Sequence, residues 1–359
     1  MMNNEFIGFL LVFLPCLFGQ NLSAQEQLSK IAFGSCAKQD KPQPIWDSIN
    51  ARSPQLFLFL GDNIYGDTQD MDLLRKKWEQ LGSQQGFTEL KKKTKILATW
   101  DDHDYGGNDA GAEYPRKKES QQIFLDFFGI AKNDPRRKQE GVYHSEIFGK
   151  PGQRVQVILL DTRYFRSPLK TGYKTREPGE GYRGKYAPNL DPNSTMLGDI
   201  QWKWLEKILS QPAEVRLLCS SVQAIPDEHG SEMWGNFPLE REKLFKLISK
   251  TKAKGLVILS GDRHLAEIMK LPSKSFGINY PVFEITSSSL NTPSGNFSKA
   301  GTRFSNEINS YRVGLTYFDT NFGMIEIDWL SESPILRFQV CDEKGGIVLQ
   351  QKLKLTELE

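Results

Sequence analysis

The sequence predicts an α/β fold, and two regularities carry that prediction. Short apolar runs recur along the chain and alternate with amphipathic segments of helical period. Six of these runs stop abruptly at a cluster of polar, acidic or metal-ligating residues. Buried strands of a parallel sheet read as near-continuous apolar runs, and in open α/β sheets the residues past the strand carboxyl ends form the ligand crevice. The six clusters are therefore expected to converge on one site.

In chain order, Phe6 to Phe18 is an apolar stretch of 13 residues followed by Leu22-Ser23-Ala24. It is too short for a hydrocarbon core of about 30 Å, so residues 1–24 read as a cleaved export signal. The strand-like runs then lead into Gly34-Ser35-Cys36, Gly61-Asp62-Asn63-Ile64-Tyr65, Asp101-Asp102-His103-Asp104, Asp161-Thr162-Arg163, Ser220-Ser221-Val222-Gln223 and Ser260-Gly261-Asp262-Arg263-His264. Between them, helices are expected to begin at Trp46–Ile49 and to cover 71–81, 121–128, 199–209 and 239–248. Ser167 to Ser194, rich in Gly, Pro, Tyr, Lys and Arg, reads as a long functional loop. Ser287 to Asn306 is a second irregular stretch, expected at the rim or a sheet junction. Antiparallel strands are expected over 313–329, 335–340 and 347–355, the last two joined through Gly345-Gly346.

The chain has 359 residues, is 38% hydrophobic and carries a net charge of +2. This balance gives no overall field for nucleic acid, and none is expected as a stable partner. With no transmembrane segment or interdomain linker in view, residues 25–359 read as one exported domain, periplasmic or extracellular, and a monomer. Cys36, Cys219 and Cys341 make an odd set of thiols for an oxidising compartment. Cys219 and Cys341, at the ends of apolar runs, are expected as core thiols or as a disulfide pair. Cys36 follows a Gly-Ser turn at a strand end, where a metal thiolate is the better reading.

The clusters carry the chemistry. An aspartate can bridge two cations, and a phenolate such as Tyr65 is a good donor to ferric iron. Asp101, Asp102 and Asp104 place three like charges within four residues, which repel unless a cation screens them. Asp262 and His264, at i and i+2, would point the same way on an extended chain. His144 alternates like a strand residue with a structural role. His229, in a polar loop, is a candidate for the substrate rim.

Together, Gly34-Ser35-Cys36, Gly61-Asp62-Asn63-Ile64-Tyr65, Trp100-Asp101-Asp102-His103-Asp104-Tyr105-Gly106, Leu160-Asp161-Thr162-Arg163 and Ser260-Gly261-Asp262-Arg263-His264 resemble the alkaline phosphatase D family of calcineurin-like metallophosphoesterases. The resemblance implies a four-layer α/β/β/α sandwich holding an Fe³⁺ and Ca²⁺ site. It places the metal ligands on Cys36, Asp62, Tyr65, Asp102, Asp262 and His264, with Asp62 bridging and His103 adjacent. It also implies that the extra N-terminal β-sandwich of larger members is absent here. Ser220-Ser221-Val222-Gln223 departs from the pattern, standing where many relatives have a metal-binding histidine, so Gln223 is a candidate to orient phosphate.

The activity so implied is hydrolysis of phosphate esters, of small molecules or phospholipids. His103 is the candidate proton donor. Arg163 and Arg263 are candidate phosphate contacts, with the alternative that each holds a neighbouring carboxylate. A phospholipase-like phosphodiesterase and a non-catalytic metal- or phosphate-binding module are the other readings. The basic, aromatic loop of Lys170, Tyr173, Lys174, Arg176, Tyr182, Arg183, Lys185 and Tyr186 would suit either a monoester or a diester.

Overall fold

The computed structural model describes residues 26–172, 184–297, 304 and 306–359. The expected signal segment and the centre of the basic loop, from Tyr173 to Arg183, lie outside the described residues. Of the second irregular stretch, 298–303 and 305 do as well.

Among the described residues, twelve strands form two six-stranded sheets. In the first, β1 (Lys30–Gly34), β2 (Leu56–Leu60) and β3 (Lys95–Thr99) run parallel. Antiparallel β10 (Asn321–Asp328), β11 (Ile335–Asp342) and β12 (Ile347–Lys354) extend the sheet beyond β1. The second sheet has parallel β5 (Val155–Leu159), β6 (Val215–Ser220), β7 (Leu256–Ser260) and β9 (Val282–Ser287). Antiparallel β4 (His144–Phe148) and β8 (Ala266–Leu271) flank them.

The side-chain period of two explains the layering. On β2, Leu56, Leu58 and Leu60 face the second sheet and join its core, whereas Phe57 and Phe59 face outward into a separate aromatic cluster. That outer cluster packs against α1 (Ile45–Arg52), α2 (Met71–Ser83), α3 (Gln85–Lys93) and α5 (Lys117–Phe127). Leucines and aromatics of α6 (Gly198–Leu209) and α7 (Pro238–Lys250) cover the other sheet. Each fully buried Leu, Ile or Phe contributes roughly 1.5–3 kcal/mol, so the four layers follow from where the apolar residues point. The result is the α/β/β/α sandwich.

One expectation needs adjustment. Residues 312–317 lie along β8, bridging it at Met269–Arg312 and Ala266–Tyr317, and the regular strand starts only at Asn321. Helix α3 ends in Lys91-Lys92-Lys93. The single turn α4 (Asp102–Tyr105) carries the acidic cluster, with Asp104 Oδ1 accepting the Asp101 N–H at 2.6 Å. Cys219 and Cys341 are buried free thiols on different sheets. Among the described residues no helix is long and apolar enough to cross a membrane.

Candidate metal centre

The carboxyl ends of β1, β2, β3, β6, β7 and β9 open on one crevice. Two glycines bring the chains close there. Gly61 has φ +97°, and a Cβ would fall 2.4 Å from Asp101 Cβ. A Cβ on Gly261 would lie 2.6 Å from Ser35 Oγ and 2.9 Å from Leu60 O, so a bare backbone lets the two sheets meet. Cys36, Asp62, Asp262 and His264 all adopt left-handed φ, between 49° and 68°. Left-handed backbone at non-glycine residues costs of order 1–3 kcal/mol each and persists where surrounding structure enforces it. Asp262 and His264 thus reach the crevice through a tight turn, not along an extended chain as expected.

The structure brings all six expected ligands together. Asp62 Oδ2 lies 3.4 Å from both Cys36 Sγ and the Tyr65 hydroxyl, and that hydroxyl is 3.4 Å from His264 Nε2. Donor atoms of Cys36, Asp62 and His264 fall within 4.8 Å of one another, as do those of Asp62, Asp102 and His103, and of Asp101, Asp102 and Asp262. Asp62 belongs to two such groups and Asp102 to three, the further one being Asp102, Asp109 and Glu232. Asp62 Oδ1 is buried without a hydrogen-bond partner, an orphaned acceptor that a cation would satisfy.

The electrostatics point the same way. Burial and then the surrounding aspartates push Asp62 and Asp262 well above the usual carboxylate range. Burial and then Asp62 raise the Cys36 thiol, and burial and then Cys36 raise the Tyr65 phenol. Asp102 differs: burial opposes its charge, but Arg163 and His103 outweigh burial and hold it well below the usual range. Burial lowers His264 to about 4, leaving a neutral imidazole. Its Nδ1 lies 2.5 Å from Thr292 O, which fixes the proton there and leaves the Nε2 lone pair toward Tyr65 and Asp62. These donors suit a cation pair, and binding one would release protons.

His103 hydrogen-bonds through Nδ1 to Asp67 Oδ1 at 2.7 Å, and its ring lies 4.3 Å from that of Tyr65. Burial would lower His103, but the Asp102 charge and the Asp67 hydrogen bond push it up to about 9.

The residues expected to contact phosphate are engaged by other protein groups. Arg163 is fully buried, its Nε 2.5 Å from Asp101 Oδ1 and its Nη1 2.7 Å from Glu232 Oε1. Arg263 is buried against Glu307 at 2.6 Å. Both hold carboxylates, the alternative role. Gln223 is buried, donating to Glu267 Oε1 and Thr286 Oγ1 at 2.7 and 2.8 Å. His229 is also buried, bonded to Gln223 and to the Ser231 N–H, and is not on a rim.

Sequence reasoning missed Ser288, whose hydroxyl is 3.2 Å from Cys36 Sγ and accepts the His264 N–H at 3.0 Å. It also missed Thr292 and Asp67. Asp67 continues the Gly61–Tyr65 motif, the one local signal available. Asp109 was missed too: its N–H donates to Asp102 Oδ2 at 2.6 Å while its carboxylate accepts from the Tyr186 hydroxyl at the neck of the long loop.

Comparison with known proteins fits this geometry. The chain is 24% identical to alkaline phosphatase D of Bacillus subtilis (strain 168) over 219 residues, 53% of this chain and 36% of that protein. It therefore spans about a third of that relative's length. A solved structure of PhoD superposes with TM-score 0.70 at 16% identity, covering 93% of this chain and 73% of the other. A dimetal phosphatase from Danio rerio gives TM-score 0.47 at 12% identity, over 92% and 100% of the two chains. The PhoD-like phosphatase family matches residues 31–338, which contain every crevice residue described above, and the chain belongs to that family.

Proposed function

We propose that this protein is an exported, metal-dependent hydrolase of phosphate esters, of the alkaline phosphatase and phosphodiesterase type, with a dinuclear iron–calcium centre. One observation carries the reading: Asp62 is shared between a group with Cys36 and His264, beside the Tyr65 hydroxyl, and a group with Asp102 and His103. Soft and aromatic donors, Cys36, Tyr65 and His264, suit Fe³⁺, and the hard oxygens of Asp102 and Asp262 suit Ca²⁺, with Asp62 between them. When bound, the metals supply Lewis acidity toward a phosphoryl group.

The protein's own groups do the rest. His103 donates the Nε2 proton to the leaving oxygen, a role worth roughly 10²–10⁴-fold, while Asp67 holds the ring and its tautomer. Ser288 and Thr292 orient Cys36 and His264. Arg163 and Arg263 act through the carboxylates they hold. Residues 1–24 serve export, and the mature protein works as a monomer.

Metal analysis of the purified protein, with turnover of matched mono- and diesters, tests this. Iron and calcium are both expected. Chelation should remove calcium, abolish turnover reversibly and lower Tm while iron stays; a ligand at 100 times its Kd stabilises by about 2.7 kcal/mol. Activity and melting indifferent to calcium would reject the iron–calcium assignment. Turnover by metal-free protein would reject the metal dependence.

A further inference from the structure

Asp102 is held at both of its oxygens by backbone donors. Oδ1 accepts the N–H of the next residue, His103, at 2.8 Å, and Oδ2 accepts the N–H of Asp109 at 2.6 Å. The chain between them folds back over Asp102, the Gly106 and Gly107 N–H groups both donating to its carbonyl oxygen at 2.9 Å. A carboxylate oxygen has two lone pairs, so each keeps one for a cation while the two fixed donors set the plane of the group.

The donor at Oδ2 is only as well placed as Asp109, and that residue is braced on several sides. Its φ is +57°, a left-handed backbone that aspartate and asparagine adopt more readily than other side chains. Its carbonyl oxygen accepts from Nη2 of the buried Arg166, whose own carbonyl accepts the Ala112 N–H at 2.8 Å. Its carboxylate accepts from the hydroxyl of the buried Tyr186, with the Lys185 ammonium 3.4 Å away. Tyr186 is fixed in turn. Its N–H donates to Gly230 O at 2.9 Å, and the neck of the long loop closes through Ala187 N–H to Lys170 O at 2.8 Å and Gly172 N–H to Lys185 O at 3.2 Å. A Cβ on Gly184 would lie 2.3 Å from Gly230 O, so the neck and the Gly230 segment meet backbone to backbone. A continuous line of contacts therefore runs from Gly230 through Tyr186 and Asp109 to Asp102 Oδ2. Donor atoms of Asp102, Asp109 and Glu232 also fall within 4.8 Å of one another, but the Asp109 carboxylate is already engaged by Tyr186 and Lys185. Groups that orient a metal ligand in this way cost about 10–100-fold in metal affinity when they are removed.

We propose that Asp109 is a positioning residue for Asp102, and that Tyr186, at the neck of the long loop, sets calcium affinity through it. The inference rests on the iron–calcium reading above. Its test uses the iron-loaded, full-length protein, with calcium titrated in and binding followed by calorimetry and by the rise in Tm. Tyr186→Phe removes the hydroxyl and keeps the ring, and should weaken calcium binding roughly tenfold; Asp109→Ala should weaken it roughly 10–100-fold. Asp109→Asn tolerates the left-handed backbone and still offers an oxygen to Tyr186, so it should stay near the wild type. Iron content should be unchanged in all three, which a general loss of structure would not allow. Wild-type calcium affinity in both Tyr186→Phe and Asp109→Ala would overturn the positioning role and leave the iron–calcium reading standing. So would an Asp109→Asn variant as weak as Asp109→Ala beside an unaffected Tyr186→Phe, because the carboxylate itself would then hold the cation. If the wild-type protein binds no calcium, the iron–calcium reading fails, and this inference with it.

Discussion

Two buried charged clusters solve the problem of burial in opposite ways. Around Gln223, the carboxylates Glu267 and Glu307 meet Arg312 and Arg263, and Gln223 bridges Glu267 to Thr286 and His229. In the crevice, Asp62, Asp101, Asp102, Asp104, Asp262 and Glu232 crowd around Arg163, Arg166 and His103, and carboxylates outnumber cations. Buried charge without a partner is costly, so the first cluster balances its charge internally while the second requires cations from outside. On the reading proposed above, metal would compensate the crevice acids that the arginines do not reach.

The sharpest way to break this comparison is to remove the shared ligand. Asp62→Asn should lower kcat/KM by about 10³-fold or more and reduce the content of both metals, because one bridging carboxylate serves both donor groups. Cys36→Ser should lose iron and bleach any thiolate or phenolate charge-transfer band. Normal iron content in that variant would remove the thiol from the ligand set.

His103→Ala should keep its metals and lose roughly 10²–10⁴-fold in kcat on esters with poor leaving groups, but far less on nitrophenyl esters. Equal losses on both would deny it the acid role.

In the balanced cluster the readout is stability. Arg263→Met leaves buried Glu307 with the looser 3.8 Å contact to Arg312 and should cost about 3–5 kcal/mol by denaturant titration; the double change with Glu307→Met should recover most of it. An uncorrected double mutant would mean that Arg263 serves the crevice directly.

The smallest effect belongs to Glu284, buried on β9 with Ala224 and Ile225 N–H groups donating to it. Burial raises its carboxyl to about 7. A folded pKa above the unfolded value near 4.5 means stability that is present at low pH and lost as pH rises from about 4.5 through 7. Glu284→Gln should remove this loss and gain about 1–3 kcal/mol at pH 8, relative to its effect at pH 5. An identical effect at both pH values would show that Glu284 stays ionised.

The sandwich was legible because apolar runs and strand-end clusters are local patterns, as with Leu56–Leu60 running into Gly61-Asp62. The convergence of the candidate metal ligands was legible for the same reason, each standing a few residues past a strand. What the sequence hid was pairing across distance. Arg163 meets Asp101 from 62 residues away and Arg263 meets Glu307 from 44, and nothing near either arginine announces that its charge is already engaged. The left-handed turn at Asp262 and His264 was hidden too, because neither residue type demands it. Ser288 and Thr292 sat in a stretch recognised as irregular and near the rim, but a hydroxyl gives no sequence signal of what it orients.

The contact at Gly261 has a consequence for the molecule as a whole. Cys36, Asp62, Tyr65 and Asp102 ride on the first sheet, and Asp262 and His264 on the second. The interval between donors therefore depends on how closely the sheets approach, which is set far from the crevice by the leucines and valines packed between them. Enlarging a residue such as Val157 or Leu58 would wedge the layers and stretch that interval, so the metal centre acts as a gauge of core volume. Metal affinity should register a misfit in the interior before melting temperature does.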